Sequence, residues 1–249
     1  MTERVHDGVP LRDRYEPEAL DALRPAERAR IVRVASRDVR AWELLYALDV
    51  ELYDRLVAGE RLHSGILAWL PESLGRAVEV GAGTGRLTTQ IARRCHMLVA
   101  VERARSMRDL LGARLRDAGN ASVCGGDLCE LPIRDGFADS VLACAMLTPD
   151  PCWGGDRGLD ELERICRRGG LVVIVWPQDV EWLGSRGYRH EVFEGEMTHE
   201  FASVDDALEL ARVFYPDRFD DVARLGSRHV PYDVLGVNAP RDLAWKVVS

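Results

Sequence analysis

Short apolar runs alternate with segments of helical period through the middle of the chain. Residues 76–81, 97–102, 121–124, 140–145 and 171–176 are apolar runs too short for ordinary helices, and 84–94, 106–118 and 159–167 read as helices between them. Apolar strands separated by helices predict a parallel sheet covered on both faces, an α/β doubly wound fold. Ahead of it, Leu20, Leu23, Ile31 and Val34 recur at three-residue steps, and Trp42, Leu45, Tyr46, Leu48, Leu52, Tyr53 and Leu56 make one wide apolar face. Three or four helices are expected there, so residues 1–72 form an N-terminal helical addition suited to serve as a lid, and 73–249 form the sheet domain. Within the latter, 177–226 break the rhythm with a polar loop and helices at 204–214 and 217–225. After them, 229–237 and 243–248 read as a hairpin across the turn-rich link Asn238-Ala239-Pro240-Arg241. Pro231 places the first of these strands at a sheet edge, because proline cannot donate to a central ladder.

Composition narrows the class of partner. A formal net charge of −8 over 249 residues, with Lys246 the only lysine and the arginines interspersed with acids, is a solvated surface and not a nucleic-acid footprint. Six cysteines without a Cys-x-x-Cys pair, and six histidines without a paired spacing, imply neither a disulfide scaffold nor a metal. No stretch is long and apolar enough to cross a bilayer or to act as a secretory signal. A cytoplasmic protein with reduced thiols and no membrane partner is expected.

The chemistry concentrates after the first strand, in Val78-Glu79-Val80-Gly81-Ala82-Gly83-Thr84-Gly85-Arg86-Leu87-Thr88. Alternate glycines permit positive φ and close approach of a polar ligand to the backbone. A dinucleotide fingerprint needs glycine at its first, third and sixth positions, and the sixth position from Gly81 is Arg86. Glu102 follows seventeen residues beyond Gly85, at the end of the second strand, where a carboxylate can accept both hydroxyls of a ribose. Gly126-Asp127-Leu128 and Leu131-Pro132 then lead into Asp135-Gly136-Phe137-Ala138-Asp139-Ser140-Val141-Leu142.

Together these stretches resemble class I S-adenosylmethionine methyltransferases: Glu-x-Gly-x-Gly-x-Gly is similar to the family's first motif, and the Gly-Asp to Leu-Pro series to a later one. Phe137 stands one place early, with Ala138 in the usual aromatic slot, and Arg167-Arg168-Gly169-Gly170 replaces Lys-Pro-Gly-Gly, its glycines expected to cap the preceding helix. The resemblance covers 76–176, and 76–145 is similar to the small-molecule branch typified by ubiquinone/menaquinone C-methyltransferases. It implies a seven-stranded, mostly parallel sheet ending in an antiparallel hairpin, with the last strand inserted beside strand five.

The resemblance also implies S-adenosylmethionine as cofactor and a small-molecule methyl acceptor. Glu79, Gly81, Gly83 and Gly85 would hold the methionine half, Glu102 the ribose, Asp127 and Leu128 the adenine, and Cys144 to Leu147 would face the sulfonium. Ala82, Thr84, Arg103 and Met107 complete the implied cofactor set. Thr148, Asp150 and Trp153 after strand four, Trp176 after strand five, and His190 and His199 in the variable region are acceptor-side candidates, each also explicable as a structural group. Trp176 differs in standing at a central strand's end, where an aromatic can floor a pocket. Asp139 reads as a cap or turn residue. No residue is singled out as a general base. An NAD-dependent oxidoreductase and a non-catalytic interaction protein of the same fold are the rival readings, and a homodimer through the N-terminal helices is compatible with the pattern.

Overall fold

The computed structural model describes Ala26 and residues 42–249; the helices expected around Leu20, Leu23, Ile31 and Val34 lie outside the described residues. In chain order the elements begin with α1 (Trp42–Leu48), α2 (Val50–Gly59), α3 (Ser64–Trp69), β1 (Gly75–Val80), α4 (Thr88–Ile91), β2 (Cys95–Val101), α5 (Arg105–Arg114) and β3 (Ala121–Cys124). Next come β4 (Ala138–Cys144), α6 (Gly155–Ile165), β5 (Cys166–Val175), α7 (Val180–Ser185) and β6 (Arg189–Val192). The chain finishes with β7 (Thr198–Glu200), α8 (Val204–Phe214), α9 (Phe219–Leu225), β8 (His229–Pro231), α10 (Tyr232–Leu235) and β9 (Asp242–Val247). Two compact units result: residues up to Glu60 with Met197–Asn238, and Arg61–Glu196 with Ala239–Ser249.

The second unit is the sheet. Its seven strands run in the order β3-β2-β1-β4-β5-β9-β6, with β1 to β5 joined by parallel pairings and β9 antiparallel to both neighbours. Side chains alternate across the pleat, so β4 sends Val141 to one face, against Leu159, Leu162 and Ile165 of α6, and Leu142 to the other, with Ile66, Leu87 and Ile91. All of these are at most 1% exposed, as a doubly covered parallel sheet requires.

Asp139 ties three strands together at the amino end of the sheet. On β4, it accepts from the Arg76 backbone N–H at 2.8 Å and from Arg167 Nε at 2.7 Å. Those bonds hold its carboxyl down at about 2. A carboxylate depressed in the fold stabilises it above the unfolded pKa near 4 and loses that contribution as pH falls through about 2. Asp139→Asn is therefore expected to cost about 1–2 kcal/mol at pH 7, and denaturant titrations from pH 5 to 2 should show a shallower acid loss in the variant.

Several local expectations are corrected. The helix expected over 84–94 begins only at Thr88 and passes into a 3-10 turn at Ala92–Arg94, because Gly81, Gly83 and Gly85 all take positive φ and hold the chain in a turn. Gly169 and Gly170 do not cap α6, which ends at Ile165; they lie inside β5. A Cβ on Gly170 would stand 2.9 Å from the Asp139 carbonyl oxygen and 2.6 Å from Cys166 Sγ, so close packing explains that glycine. The expected hairpin of 229–237 with 243–248 does not form: β9 lies antiparallel between β5 and β6. Pro231 ends a three-residue strand paired with β7, and Tyr232 then starts a helical turn closed by Gly236 at φ 73°.

The first unit has its own core. Leu44, Leu45 and Leu52 pack with Phe201, Leu210 and Val230, and Arg55 of α2 pairs with Asp206 and Glu209 of α8. Part of the expected variable region thus folds with the helices of the N-terminal segment.

Candidate active site

The glycine turn is pinned to the neighbouring strand. The amides of Gly81 and Ala82 both donate to the Val101 carbonyl, at 2.8 and 3.1 Å, and the amide of Gly83 donates to Glu102 Oε2 at 2.9 Å. Beneath the turn, Glu79 is 1% exposed with Oε2 lacking a hydrogen-bond partner, and Thr84 Oγ1 is likewise buried and unpaired. Burial pushes the Glu79 carboxyl up to about 8, offset only in part by Thr88 and the Arg86 charge. Buried polar atoms left unpaired are costly, and two of them behind a turn of left-handed glycines mark a place for a ligand that supplies donors. An amino-acid ammonium fits that donor set. Gly83 adds room: a Cβ there would meet nothing nearer than Met107 Sδ at 4.0 Å.

Glu102 follows β2 and is 8% exposed. Its Oε1 accepts from the Ala104 amide at 2.7 Å while Oε2 holds Gly83. Burial raises its carboxyl pKa and these amides pull it back. Each oxygen keeps a further lone pair, so ribose hydroxyls can still donate to it. After β3, Asp127 accepts from the Cys129 amide at 2.8 Å through Oδ1, and Arg103 Nη1 stands 3.5 Å from its Oδ2. Leu128 anchors this loop: a Cβ on Gly154 or Gly158 would fall 2.5 or 2.9 Å from its side chain, so the two glycines make room for it. Glu102→Ala or Asp127→Asn should weaken nucleoside binding at least about tenfold, on the order of 1.4 kcal/mol; unchanged calorimetric affinity in both would remove the assignment.

The acceptor-side candidates separate. Cys144 ends β4 opposite Val175, with Ala145 and Met146 next. Thr148 Oγ1 accepts from the Asp150 amide, and Asp150 Oδ1 accepts from the Cys152 amide at 2.8 Å, so both serve the turn that leads through Trp153 to α6. Trp176 follows β5, its N–H donating to the Asp242 carbonyl. His190 sits on β6 with Nε2 2.9 Å from Asp242 Oδ2. His199 belongs to the other compact unit, where it is fully buried and stacks on Phe201 at 4.0 Å. The structure therefore gathers Glu79 to Gly85, Glu102, Arg103, Met107, Asp127, Cys144 and Trp176 at the carboxyl edge of adjacent strands, and leaves His190 on an outer strand.

Two features escaped sequence reasoning. Arg86 lies with its guanidinium carbon 5.2 Å from the Trp176 ring centroid, a contact across strands that no local pattern announces. Met146 packs its sulfur where a Gly81 side chain would begin. Among the described residues no group of three or more potential metal ligands occurs, and no helix is long and apolar enough to cross a membrane.

Strand order, a glycine turn after β1 and a buried carboxylate at the end of β2 together make a Rossmann-like sheet edge. Residues 78–174 match the family model described as a methyltransferase domain. An uncharacterized methyltransferase of Mycobacterium tuberculosis is 36% identical over 116 residues, 46% of this chain and 45% of that protein. One from Geobacillus kaustophilus is 25% identical over 193 residues, 76% of this chain and 84% of its own length. A Haloferax volcanii chain solved in complex with the Trm112 methyltransferase activator shares the fold, with TM-score 0.52 and 17% identity over 82% of this chain and 96% of that one. The sheet unit thus contains a segment, residues 78–174, that is similar to a methyltransferase domain, on a Rossmann-like seven-stranded sheet. The chain spans about half, 45%, of the length of the mycobacterial relatives it matches.

Proposed function

We propose that this protein transfers the methyl group of S-adenosylmethionine to a small-molecule acceptor by in-line displacement. The observation that carries the reading is the unpaired, buried Glu79 Oε2 beneath three left-handed glycines, on the same sheet edge as Glu102 and Asp127. When bound, the cofactor supplies a methyl group already activated by its sulfonium. What the chain must do is place an acceptor in line and keep water out, and positioning of that kind is worth about 7–11 kcal/mol in favourable systems. Glu79 and the glycine turn hold the methionyl end, Glu102 the ribose and Asp127 the adenine, which directs the methyl toward the ends of β4 and β5. A net charge of −8 favours a small acceptor over a polyanion.

Binding calorimetry with S-adenosylhomocysteine, and NAD as control, tests this directly. Tight binding of the first alone is expected, followed by methyl transfer to an acceptor from a labelled cofactor. Binding of NAD alone would make the protein an oxidoreductase, and binding of neither would leave a fold retained for interaction.

A further inference from the structure

The turn that carries Asp127 lies outside the strands and helices, closed by the Glu130 N–H donating to the Asp127 carbonyl at 3.1 Å. Its position is set by α6. Leu159, Leu162 and Ile165 of that helix are fully buried against the sheet. Residues three or four apart share a helix face, so Gly158 and Glu161 form a neighbouring stripe, and this stripe meets the turn. Leu128 fills the notch at Gly154 and Gly158, and the Leu131 N–H donates to Glu161 Oε2 at 2.7 Å.

Arg164 completes the latch. Its Nε donates to Glu161 Oε1 at 2.6 Å and its Nη2 to Oε2 at 2.7 Å, a bidentate pairing of fork and carboxylate. The same guanidinium reaches the chain beyond the turn: Nη1 donates to the Ile133 carbonyl at 2.9 Å and to Asp135 Oδ1 at 2.6 Å, and Nη2 to the Leu131 carbonyl at 3.2 Å. The Arg164 carbonyl accepts from the Gly136 N–H at 2.9 Å. Both backbone groups of Leu131 are therefore held by one ion pair. The apolar face of α6 already fixes the helix on the sheet, so the pair directs its hydrogen bonds to the segment that follows Asp127.

We propose that Glu161 and Arg164 are positioning residues of the adenine site: by latching Leu131 they set where the Asp127 carboxylate stands, and so how strongly a 6-amino purine is preferred to a 6-oxo one. This rests on the methyltransferase reading, in which Asp127 accepts from the adenine amine. A site built to receive a donor rejects an analogue lacking it far more strongly than shape alone allows. That holds only while the acceptor is kept in place, since a displacement of about 1 Å can cost about a hundredfold.

The test titrates the full chain by calorimetry with S-adenosylhomocysteine and with S-inosylhomocysteine, whose purine bears oxygen in place of the 6-amino group. The wild type is expected to bind the adenosyl ligand at least about tenfold more tightly. Glu161→Ala should reduce that ratio below about threefold by weakening the adenosyl ligand, and its retained binding of the inosyl ligand shows that it folds. Arg164→Lys, which leaves Glu161 a charged partner but removes the fork, should give an intermediate ratio and decides the matter alone if Glu161→Ala does not fold. Asp127→Asn should cost about tenfold in the wild type and less than about threefold in Glu161→Ala, the non-additivity of residues that act as one unit. Glu163→Ala is the control, because it breaks the Lys246 ion pair of the same helix; it should lower the melting temperature and leave the ratio intact. A ratio kept in Glu161→Ala and Arg164→Lys, additive losses with Asp127→Asn, or an equal fall of the ratio in Glu163→Ala overturns the proposal. Equal affinity of the wild type for the two ligands overturns it too. A wild type that binds neither is a separate result, which removes the methyltransferase reading and this proposal with it.

Discussion

Replacing Glu79 with glutamine is expected to yield a protein that melts at higher temperature and binds S-adenosylhomocysteine about 10–100-fold more weakly. Both effects follow from one buried carboxyl. Glu79 is 1% exposed with Oε2 unpaired, and burial lifts its pKa to about 8. The unfolded chain releases that proton near pH 4.5, so between 4.5 and 8 the folded state holds a proton the unfolded state does not. Stability must then fall as pH rises through that window. By pH 7 the penalty reaches at most about 3 kcal/mol, at 1.36 kcal/mol per pH unit. Glutamine has no charge to lose, so Glu79→Gln should gain stability at pH 7–8, by roughly 2–4 °C per kcal/mol for a chain of this size, and little at pH 5.

The binding loss has the opposite origin. A ligand ammonium favours the ionised carboxylate, and a hydrogen bond to a charged group contributes about 1.5–3 kcal/mol. Below pH 8 the wild type must release a proton on binding. Its affinity should therefore rise with pH up to about 8 and then level off, and calorimetry in buffers of different ionisation heat should detect about one proton released at pH 6.5. A Glu79→Gln protein that binds as tightly as wild type, or is less stable at pH 8, would separate this carboxylate from the site.

The parallel core was legible in the sequence because each of its strands is a compact apolar run and the order of runs and helices constrains the connection. α8 was legible too, over the same residues 204–214 as expected. What escaped was decided by distance in space. β6 carries Arg189, His190 and Glu191 and has no apolar run to announce it, yet it pairs with β9 through its backbone. The proline of 229–237 was a correct sign that no central strand runs there, but its consequence was a separate ribbon with β7 and a helical turn. At the site, glycine spacing and strand-end carboxylates could be read locally. The Arg86–Trp176 pair joins residues ninety positions apart across β4, and the left-handed backbone at Ala145, Leu147 and Trp176 is imposed by tertiary packing on residues with no propensity for it.

Gly83→Ala is the second large effect, and it distinguishes a ligand cradle from a merely tight turn. At Gly81 the two explanations are mixed: its φ is 68°, and an added Cβ would also strike the Met146 side chain, with Cε at 2.8 Å. Gly83 has φ 56° and no protein atom within ordinary contact of a Cβ except Met107 Sδ at 4.0 Å. Alanine there should cost the fold only the left-handed backbone term, about 1–2 kcal/mol. Its methyl group would project into space that the protein leaves open above the turn. If a cofactor approaches that backbone closely, affinity for S-adenosylhomocysteine should drop at least about 100-fold, some 2.7 kcal/mol, far more than in a Gly136→Ala control. Gly136 also has positive φ, at 61°, but a Cβ there would lie 3.8 Å from the Arg167 backbone, away from the carboxyl edge. Equal stability losses in the two variants with a binding loss confined to Gly83→Ala would show that the third residue of the glycine turn is kept small for the ligand. Equal binding in both would mean that the turn is shaped by its bonds to Val101 and Glu102 alone.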